Sequence, residues 1–511
     1  MQSRISSSTS FLKWLAALIP PISLALLSAC GGGSSSTSTQ PPPGNPINNV
    51  CNSGTFSGSP ASSTPNTYFG MHIHDIAQGT PPVPWPSTIS LPGTSDTVQF
   101  GGLRLWDSGT GWAEMNTAAG TCDFSHMDDW VSEAQSNNAD ILYNLGRTPN
   151  WASSDPSDSS CAYADDVGGN GQCWPPTDLN SDGSGADSIW IGWVTSVVSR
   201  YKGQIKYYEI WNEWNISLFW KGTPQQLVRM TQDARCVIEG PPAAGGSCNS
   251  DSTFPNGTGL DPNARIITPS PVGSQSNLNA AETNMATYLG AQAGGMGPAS
   301  FVDVIGFHCY VSTQTVGDYP IPEQVLTVID DLNSILPNFP VQGDPVFCTE
   351  GGYGQVNLEG FTDPDLQAGF LARFYLLQAS TNVSRVYWYA WDQTSTDTGA
   401  LWSSTTGPTE AATAYAEVYR WITGATPSAC TQNGNVWSCV LTRSGGYQAL
   451  AVWDGDTGSS CYTSGAPTCT TFSIPGQYTL YRDLSGNETA VPGATIGISA
   501  KPILLETSAL P

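Results

Sequence analysis

Two glutamates carry the most distinctive chemistry in this sequence. Glu213 lies in "YYEIWNEWN" (207–215), where an apolar run stops on Asn212 and Glu213 between Trp211 and Trp214. A carboxylate buried beside indole rings costs several kcal/mol unless it is paired or neutralised. A carboxyl held neutral in that way can deliver a proton near neutral pH. Glu350 closes a second apolar run, "VFCTEGGYG". With Arg104 and a hydrogen bond from Tyr310 beside it, its carboxylate is expected to stay ionised and serve as a nucleophile.

For two such groups to meet, strands far apart in sequence must run side by side. Eight strands are predicted, at 68–73, 101–107, 140–146, 205–212, 264–270, 302–310, 345–352 and 383–391. Helices alternate with them. "TPQQLVRMTQDARCVI" opens on Thr223 as cap, with Pro224 in the first turn and Gln226 three residues after the cap. "DSIWIGWVTSVVSRYKG" sets Trp190, Trp193, Val194, Val197, Val198 and Tyr201 on one helical face. Further helices are predicted at 125–138, 276–293, 322–336, 364–380 and 408–422. This alternation, over residues 51–425, predicts an α/β fold, a (β/α)8 TIM barrel with loop insertions. Residues 426–511 are short alternating segments split by Gly, Ser and Pro, which read as a small C-terminal β-sandwich.

In such a barrel the reacting groups gather at the carboxyl ends of the strands. The fourth strand ends on Asn212 and Glu213, and the seventh on Glu350. The first brings His72 and His74, the second Arg104, the sixth His308 and Tyr310, the eighth Trp388 and Trp391. Carboxyls about 5–5.5 Å apart describe a retaining glycosidase, and a gap of roughly 6.5–9.5 Å an inverting one.

"EIWNEWN…FWKGTPQQLVRM", "TEGGYG", "LRLWD" and "GRTPNWAS" together resemble clan A glycoside hydrolases, particularly family 39 and its relatives, over roughly residues 68–423. The resemblance implies that Glu213 is the acid/base with Asn212 as its partner amide. It implies that Glu350 is the nucleophile and that configuration is retained. Arg104, Tyr310 and Trp388 fall where clan members support the nucleophile or stack on sugar. Trp214 is a departure, since relatives commonly carry proline there. The expectation is a retaining β-glycosidase with a carbohydrate substrate; the alternative is a non-catalytic carbohydrate-binding protein on the same scaffold.

His308 reads equally as a core histidine or a substrate contact. The "HIH" of residues 72–74 lacks a third ligand spaced for a metal, so sugar hydrogen bonding or plain packing is expected there. "DLNSDG" (178–183) matches the start of a calcium loop, but its twelfth position is Ile189 where a bidentate Glu is required, so a polar turn is the default. No HExxH, phosphate loop, dinucleotide fingerprint or CxxC zinc spacing occurs, and no cofactor or metal is expected.

The formal charge of −25 argues against nucleic acid, whose binding needs Lys and Arg to displace counterions. Arg4 and Lys13 precede an apolar stretch, Trp14 to Leu27, too short to span a membrane. It closes on "LSAC", which resembles a lipoprotein lipobox with Cys30 as the lipidated residue; simple secretion is the alternative. Residues 31–50 form a Gly/Ser/Pro-rich tether, so membrane contact is expected only through that anchor. Setting Cys30 aside leaves twelve of the thirteen cysteines. Close spacing pairs Cys161–Cys173, Cys236–Cys248, Cys430–Cys439 and Cys461–Cys469. Cys51–Cys122 completes the set without support from spacing. Strict alternation would turn Cys309 out of the barrel and Cys348 in, so a direct bridge between them requires a bulge.

Overall fold

Each of the eight apolar runs forms a parallel strand in the computed structural model of this chain. The structure describes residues 49–51, 54–56, 66–75, 83–161, 169–242, 248, 258–273, 279–311, 320–341, 343–353, 361, 363–392, 400–456 and 469–510. The expected leader, Cys30 and the expected tether up to residue 48 lie outside them, as does Cys461. The strands are β1 (Phe69–His72), β2 (Gly102–Leu105), β3 (Asp140–Asn144), β4 (Ile205–Glu209), β5 (Arg265–Ile267), β6 (Ile305–His308), β7 (Val346–Gly351) and β8 (Val383–Trp388). Their order is β5-β4-β3-β2-β1-β8-β7-β6. Single bridges, Ile267 to Val304 and Val272 to His308, close the ring between β5 and β6. Pro269 and Pro271 have no N–H to donate there, so no continuous ladder forms.

The ring interior is filled by Leu142, Tyr207, Ile267, Val304, Phe347 and Tyr387. A methyl group on Gly70 would lie 2.4 Å from the Tyr387 ring, so only glycine lets that tyrosine fill the barrel. Neighbouring residues on each strand face the helices: α1 (Trp112–Met115), α2 (Ser125–Ser136), α3 (Ser188–Arg200), α4 (Pro224–Ile238), α5 (Ala280–Gly290), α6 (Gln324–Ile335), α7 (Pro364–Ala379) and α8 (Glu410–Ile422). The predicted cap of α4 forms in both directions. Gln226 N donates to Thr223 Oγ1 at 3.2 Å, and Thr223 N donates to Gln226 Oε1 at 2.9 Å. The predicted apolar face of α3 is buried. No helix among the described residues is long and apolar enough to cross a membrane.

A short hairpin, β9 (Trp402–Ser403) with β10 (Gly407–Pro408), precedes α8. Beyond α8 the described residues form strands joined by turns: β11 (Thr426–Pro427), β12 (Thr431–Asn433), β13 (Val436–Thr442), β14 (Gln448–Asp454), β15 (Thr470–Ser473), β16 (Leu480–Arg482), β17 (Glu488–Ala490), β18 (Thr495–Ile498) and β19 (Ile503–Glu506). The order β11-β13-β14-β19-β16-β17, with β12 also on β13, makes an antiparallel sheet, and β15 pairs with β18. Alternation divides its side chains between two cores. Leu450, Val452 and Leu505 pack with Tyr478 and Ile498. Leu441, Ala451, Trp453 and Leu504 join the core of the barrel helices. Trp453 Nε1 donates to Glu323 Oε1 at 2.7 Å.

Disulfides join Cys51–Cys122, Cys161–Cys173, Cys236–Cys248 and Cys430–Cys439, and Cys469 is also disulfide-bonded. Cys309 and Cys348 bond directly too, against strict alternation. The reason is a register shift. Phe307 pairs with Cys348 but His308 pairs with Glu350, so Thr349 is an extra residue in β7. The bulge restarts the alternation. Cys348 faces outward to Cys309, and Glu350 still turns into the barrel mouth.

Candidate active site

One cation organises the mouth of the barrel. Arg104 is fully buried and faces inward because Leu103 and Leu105, on either side, pack against the helices. Its Nη1 donates to Glu350 Oε2 at 2.7 Å. Nε and Nη2 donate to Glu209 Oε2 at 2.9 and 2.6 Å, and Nη2 also reaches Asn212 Oδ1 at 2.7 Å. Glu209 further accepts from Asn144 Nδ2 at 2.9 Å and Ser270 Oγ at 2.5 Å. Burial pushes the Glu209 carboxyl up, but the charge of Arg104, the neighbouring His308 and these hydrogen bonds hold it below the ordinary value. Glu209 is therefore an ionised strut that fixes the guanidinium fork. The sequence reading passed over it, although it lies two residues after inward Tyr207 and four before Glu213.

Glu350 accepts a second hydrogen bond at Oε1 from the Tyr310 hydroxyl, at 2.8 Å. Burial raises its carboxyl; His308, Arg104 and Tyr310 oppose that, and the charge of Glu213 adds to it. The net direction is upward, so Arg104 and Tyr310 moderate the cost of ionising Glu350 without cancelling it. Glu213 is raised further, to about 8. Burial is the main cause; Arg104 opposes, and Asp107 and Glu209 reinforce it. At neutral pH Glu213 holds the proton, which removes its repulsion of Glu350 and favours ionisation there. Glu213 also adopts φ of 38°, a left-handed conformation costing a side chain on the order of 1 kcal/mol. Its N–H is anchored to Ser270 O at 2.9 Å.

His308 links the two carboxyls. Its Nδ1 lies 2.7 Å from Glu213 Oε1, and its Nε2 lies 3.4 Å from Arg104 Nη2 and 3.8 Å from Glu350 Oε2. Burial lowers the ring to about 4, with Glu350 opposing and Arg104 reinforcing, so the imidazole is neutral at pH 7. Arg104 can only donate, which makes Nε2 the acceptor and puts the ring proton on Nδ1. His308 then donates to Glu213 Oε1 and leaves Oε2 to carry the acidic proton. One carboxylate oxygen from each glutamate and a ring nitrogen of His308 all lie within 4.8 Å of one another. These donor types suit a metal ion, but the adjoining guanidinium supplies the positive charge such an ion would bring.

The remaining expected residues divide. His72 is fully buried, with Nε2 on Thr349 O at 3.1 Å, and ties β1 to the bulge in β7. His74 Nδ1 lies 3.1 Å from Asp392 O and 3.3 Å from Asp392 Oδ1. Burial lowers the ring of His74, but Asp392 and the charge of Asp107 outweigh that and raise it. Trp388 and Trp391 are not stacking platforms. Trp388 is fully buried among Tyr353, Phe370, Phe374 and Tyr375, on the helix side of β8. Trp391 is fully buried against Trp402, with Nε1 on Pro84 O at 3.1 Å. Tyr387 faces the interior, so two residues on it is Tyr389 that reaches the mouth. Tyr389 donates to Asp107 Oδ2 at 3.1 Å, with its ring 5.1 Å from His72 and 5.0 Å from His74. The parity of Tyr387 was the signal available for it.

Over the ends of β2 and β3 lies a narrow cavity, lined in part by Trp106, Asp107, Glu114, Asn144, Arg147 and Gln172. The Arg147 guanidinium lies 5.6 Å from the Trp106 ring centre and that of Arg104 lies 6.0 Å from it.

A solved family 39 glycoside hydrolase from the gut symbiont Bacteroides cellulosilyticus WH2 aligns over 86% of this chain and 81% of its own, with a TM-score of 0.55 and 17% identity. The chain shares that protein's fold. The catalytic domain of a family 30 xylanase C from Talaromyces cellulolyticus aligns over 88% of this chain and 98% of its own (TM-score 0.48, 13% identity). A family 39 enzyme from Xanthomonas axonopodis pv. citri aligns over 80% and 87% (TM-score 0.47, 15% identity). No family model matches the sequence, and no curated protein matches it.

Proposed function

We propose that the protein is a retaining β-glycosidase acting on an oligo- or polysaccharide by double displacement. The observation that carries this reading is the approach of Glu213 and Glu350 oxygens to within 4.8 Å, one carboxyl raised to about 8 and the other held by Arg104 and Tyr310. That approach supports the closer spacing of carboxyls that a retaining enzyme uses over the wider one of an inverting enzyme. Glu350 attacks the anomeric carbon, and the C–O bond to the aglycone breaks. Glu213 Oε2 gives its proton to the departing oxygen. Water then enters, Glu213 takes a proton from it, and the glycosyl ester on Glu350 is hydrolysed. Throughout, the hydrogen bond from His308 Nδ1 orients Glu213 in both protonation states. The fold shared with a family 39 glycoside hydrolase agrees with this reading.

In the same proposal residues 51–425 are the catalytic barrel and 426–511 an accessory sheet. The apolar leader ending at Cys30 and the several disulfides support export to the cell envelope.

The test is turnover of activated aryl β-glycosides. Glu350→Gln and Glu213→Gln should each abolish or sharply reduce it. Azide should rescue Glu350→Gly with an inverted glycosyl azide and Glu213→Ala with a retained one. Saccharide binding without turnover across a broad aryl-glycoside panel would mean that the barrel only binds sugar.

A further inference from the structure

Glu350 sits on an irregular stretch of the barrel wall. On one side of β7, Phe307 pairs with Cys348 and His308 with Glu350, so Thr349 has no opposite residue. On the other side Cys348 pairs with Val386 and Gly351 with Trp388, three steps along β7 against two along β8. A bulge leaves its extra residue unpaired and interrupts the ladder. The segment carrying Glu350 therefore depends on contacts other than strand pairing. Thr349 supplies two: its O accepts from His72 Nε2 at 3.1 Å, and its Oγ1 donates to Ser270 Oγ at 2.9 Å.

Tyr310 stands past the end of the neighbouring strand. The ladder of β6 stops at His308, yet the Tyr310 hydroxyl reaches Glu350 Oε1 at 2.8 Å. Two links cross from Cys309, the residue just before it, to β7. The Cys309 N–H donates to Glu350 O at 2.9 Å, and the Cys309 sulfur is bonded to that of Cys348. The bridge thus joins the residue before Tyr310 to the residue before the bulge. Both cysteines are fully buried, and they rest on the bare backbone of Gly351. A methyl group there would lie 2.6 Å from Cys309 Sγ and 3.2 Å from Cys348 Sγ. The other groups that face Glu350 do not hang on this link. Arg104 comes from β2, Glu213 from beyond β4, and His308 from within the ladder of β6.

We propose that the Cys309–Cys348 bridge is a positioning element of the catalytic site, clamping the tail of β6 to β7 so that the Tyr310 hydroxyl stays on Glu350. The proposal rests on the reading of Glu350 as nucleophile. Without the bridge, the Cys309 N–H is the remaining link from that residue to a bulged strand. A hydroxyl that drifts from its acceptor donates weakly, since hydrogen bonds fade steeply with distance and angle. Loss of the bridge should therefore mimic loss of the Tyr310 hydroxyl, and not loss of Arg104.

The experiment compares the full chain with Cys309→Ala/Cys348→Ala, with Tyr310→Phe and with all three substitutions together, by the pH dependence of kcat and KM on an activated aryl β-glycoside. The alanine pair should lower kcat by roughly ten- to a hundredfold, with KM changed less. Its acidic limb, set by ionisation of Glu350, should move to higher pH, as in Tyr310→Phe. The basic limb, set by Glu213, should stay near 8, which also shows that the mouth of the barrel is folded. The triple variant should shift the acidic limb no further than Tyr310→Phe alone, because the bridge acts through a hydroxyl that is no longer there. Additive shifts, or an alanine pair whose acidic limb stays in place, would leave the bridge a staple for stability and overturn the proposal. Cys309→Val with Cys348→Ala keeps more of the buried volume and stands in for an alanine pair too unstable to assay. Failure of both pairs to fold would make the bridge a folding element and overturn the proposal equally. Turnover that survives Glu350→Gln would instead refute the nucleophile itself, whatever the bridge does.

Discussion

Replacing Glu213 by glutamine should stabilise the protein, and by an amount that grows with pH. The carboxyl titrates near 8 in the fold against an ordinary value of 4.5. Between those values the folded chain binds a proton that the unfolded chain has released. Stability therefore falls as pH rises, at most by about 1.4 kcal/mol per pH unit. Glutamine keeps the side chain's shape, and its Oε1 still accepts from His308 Nδ1, but it carries no charge at any pH. The variant should thus exceed wild type by about 1 kcal/mol at pH 5, about 3 at pH 7 and about 5 at pH 9. Because the two carboxyls repel, the gap belongs to the pair, and relief of Glu350 in the variant adds to it at high pH. Urea unfolding of both proteins, disulfides intact, at the three pH values measures it, given equal slopes with denaturant. A gap that stays constant from pH 5 to 9 would refute the claim that burial holds a proton on Glu213, and with it the assignment of the acid.

The same titration should shape catalysis. The pH profile of kcat/KM on an aryl glycoside should have a basic limb near 8 from Glu213 and an acidic limb above the ordinary carboxylate value from Glu350. Tyr310→Phe removes a donor that favours the ionised form of Glu350, so the acidic limb should move to higher pH; an unmoved limb would detach Tyr310 from that titration. Glu209→Gln leaves buried Arg104 with one carboxylate instead of two. It should shift the acidic limb to lower pH, as the guanidinium answers to Glu350 alone, and a limb that stays in place would detach Glu209 from that titration. Loss of the Cys309–Cys348 bridge in a double alanine variant frees a loop of 39 residues in the unfolded chain, worth about 4 kcal/mol, readable as a lower urea midpoint against wild type.

The eight strands were legible because each apolar run is bounded by turn residues, and the residues that end those runs are the ones that reach the mouth. What failed to show was the facing of side chains within the runs. A parallel barrel strand is buried on both sides, so β8 reads as unbroken apolar sequence and gives no alternation to count. Trp388 and Trp391 were placed by their position at the end of the eighth run, and Trp388 also by the family resemblance, whereas Tyr387, fixed inside the ring by the space at Gly70, turns Tyr389 to the mouth. The bulge at Thr349 hid the Cys309–Cys348 bridge in the same way, since one inserted residue reverses every inference drawn across it. Glu209 was missed because it was absorbed into the apolar run that stops on Asn212 and Glu213, although a carboxylate at an inward position there needs a buried cation beside it. With Glu209 ionised on Arg104, the guanidinium is already neutralised once before Glu350 reaches it. A third charge on Glu213 would leave the buried mouth with two uncompensated negatives beside a histidine too basic-poor to help. The proton on Glu213 is thus required by the company it keeps: one arginine, two carboxylates that hold it, and no cation left for a third.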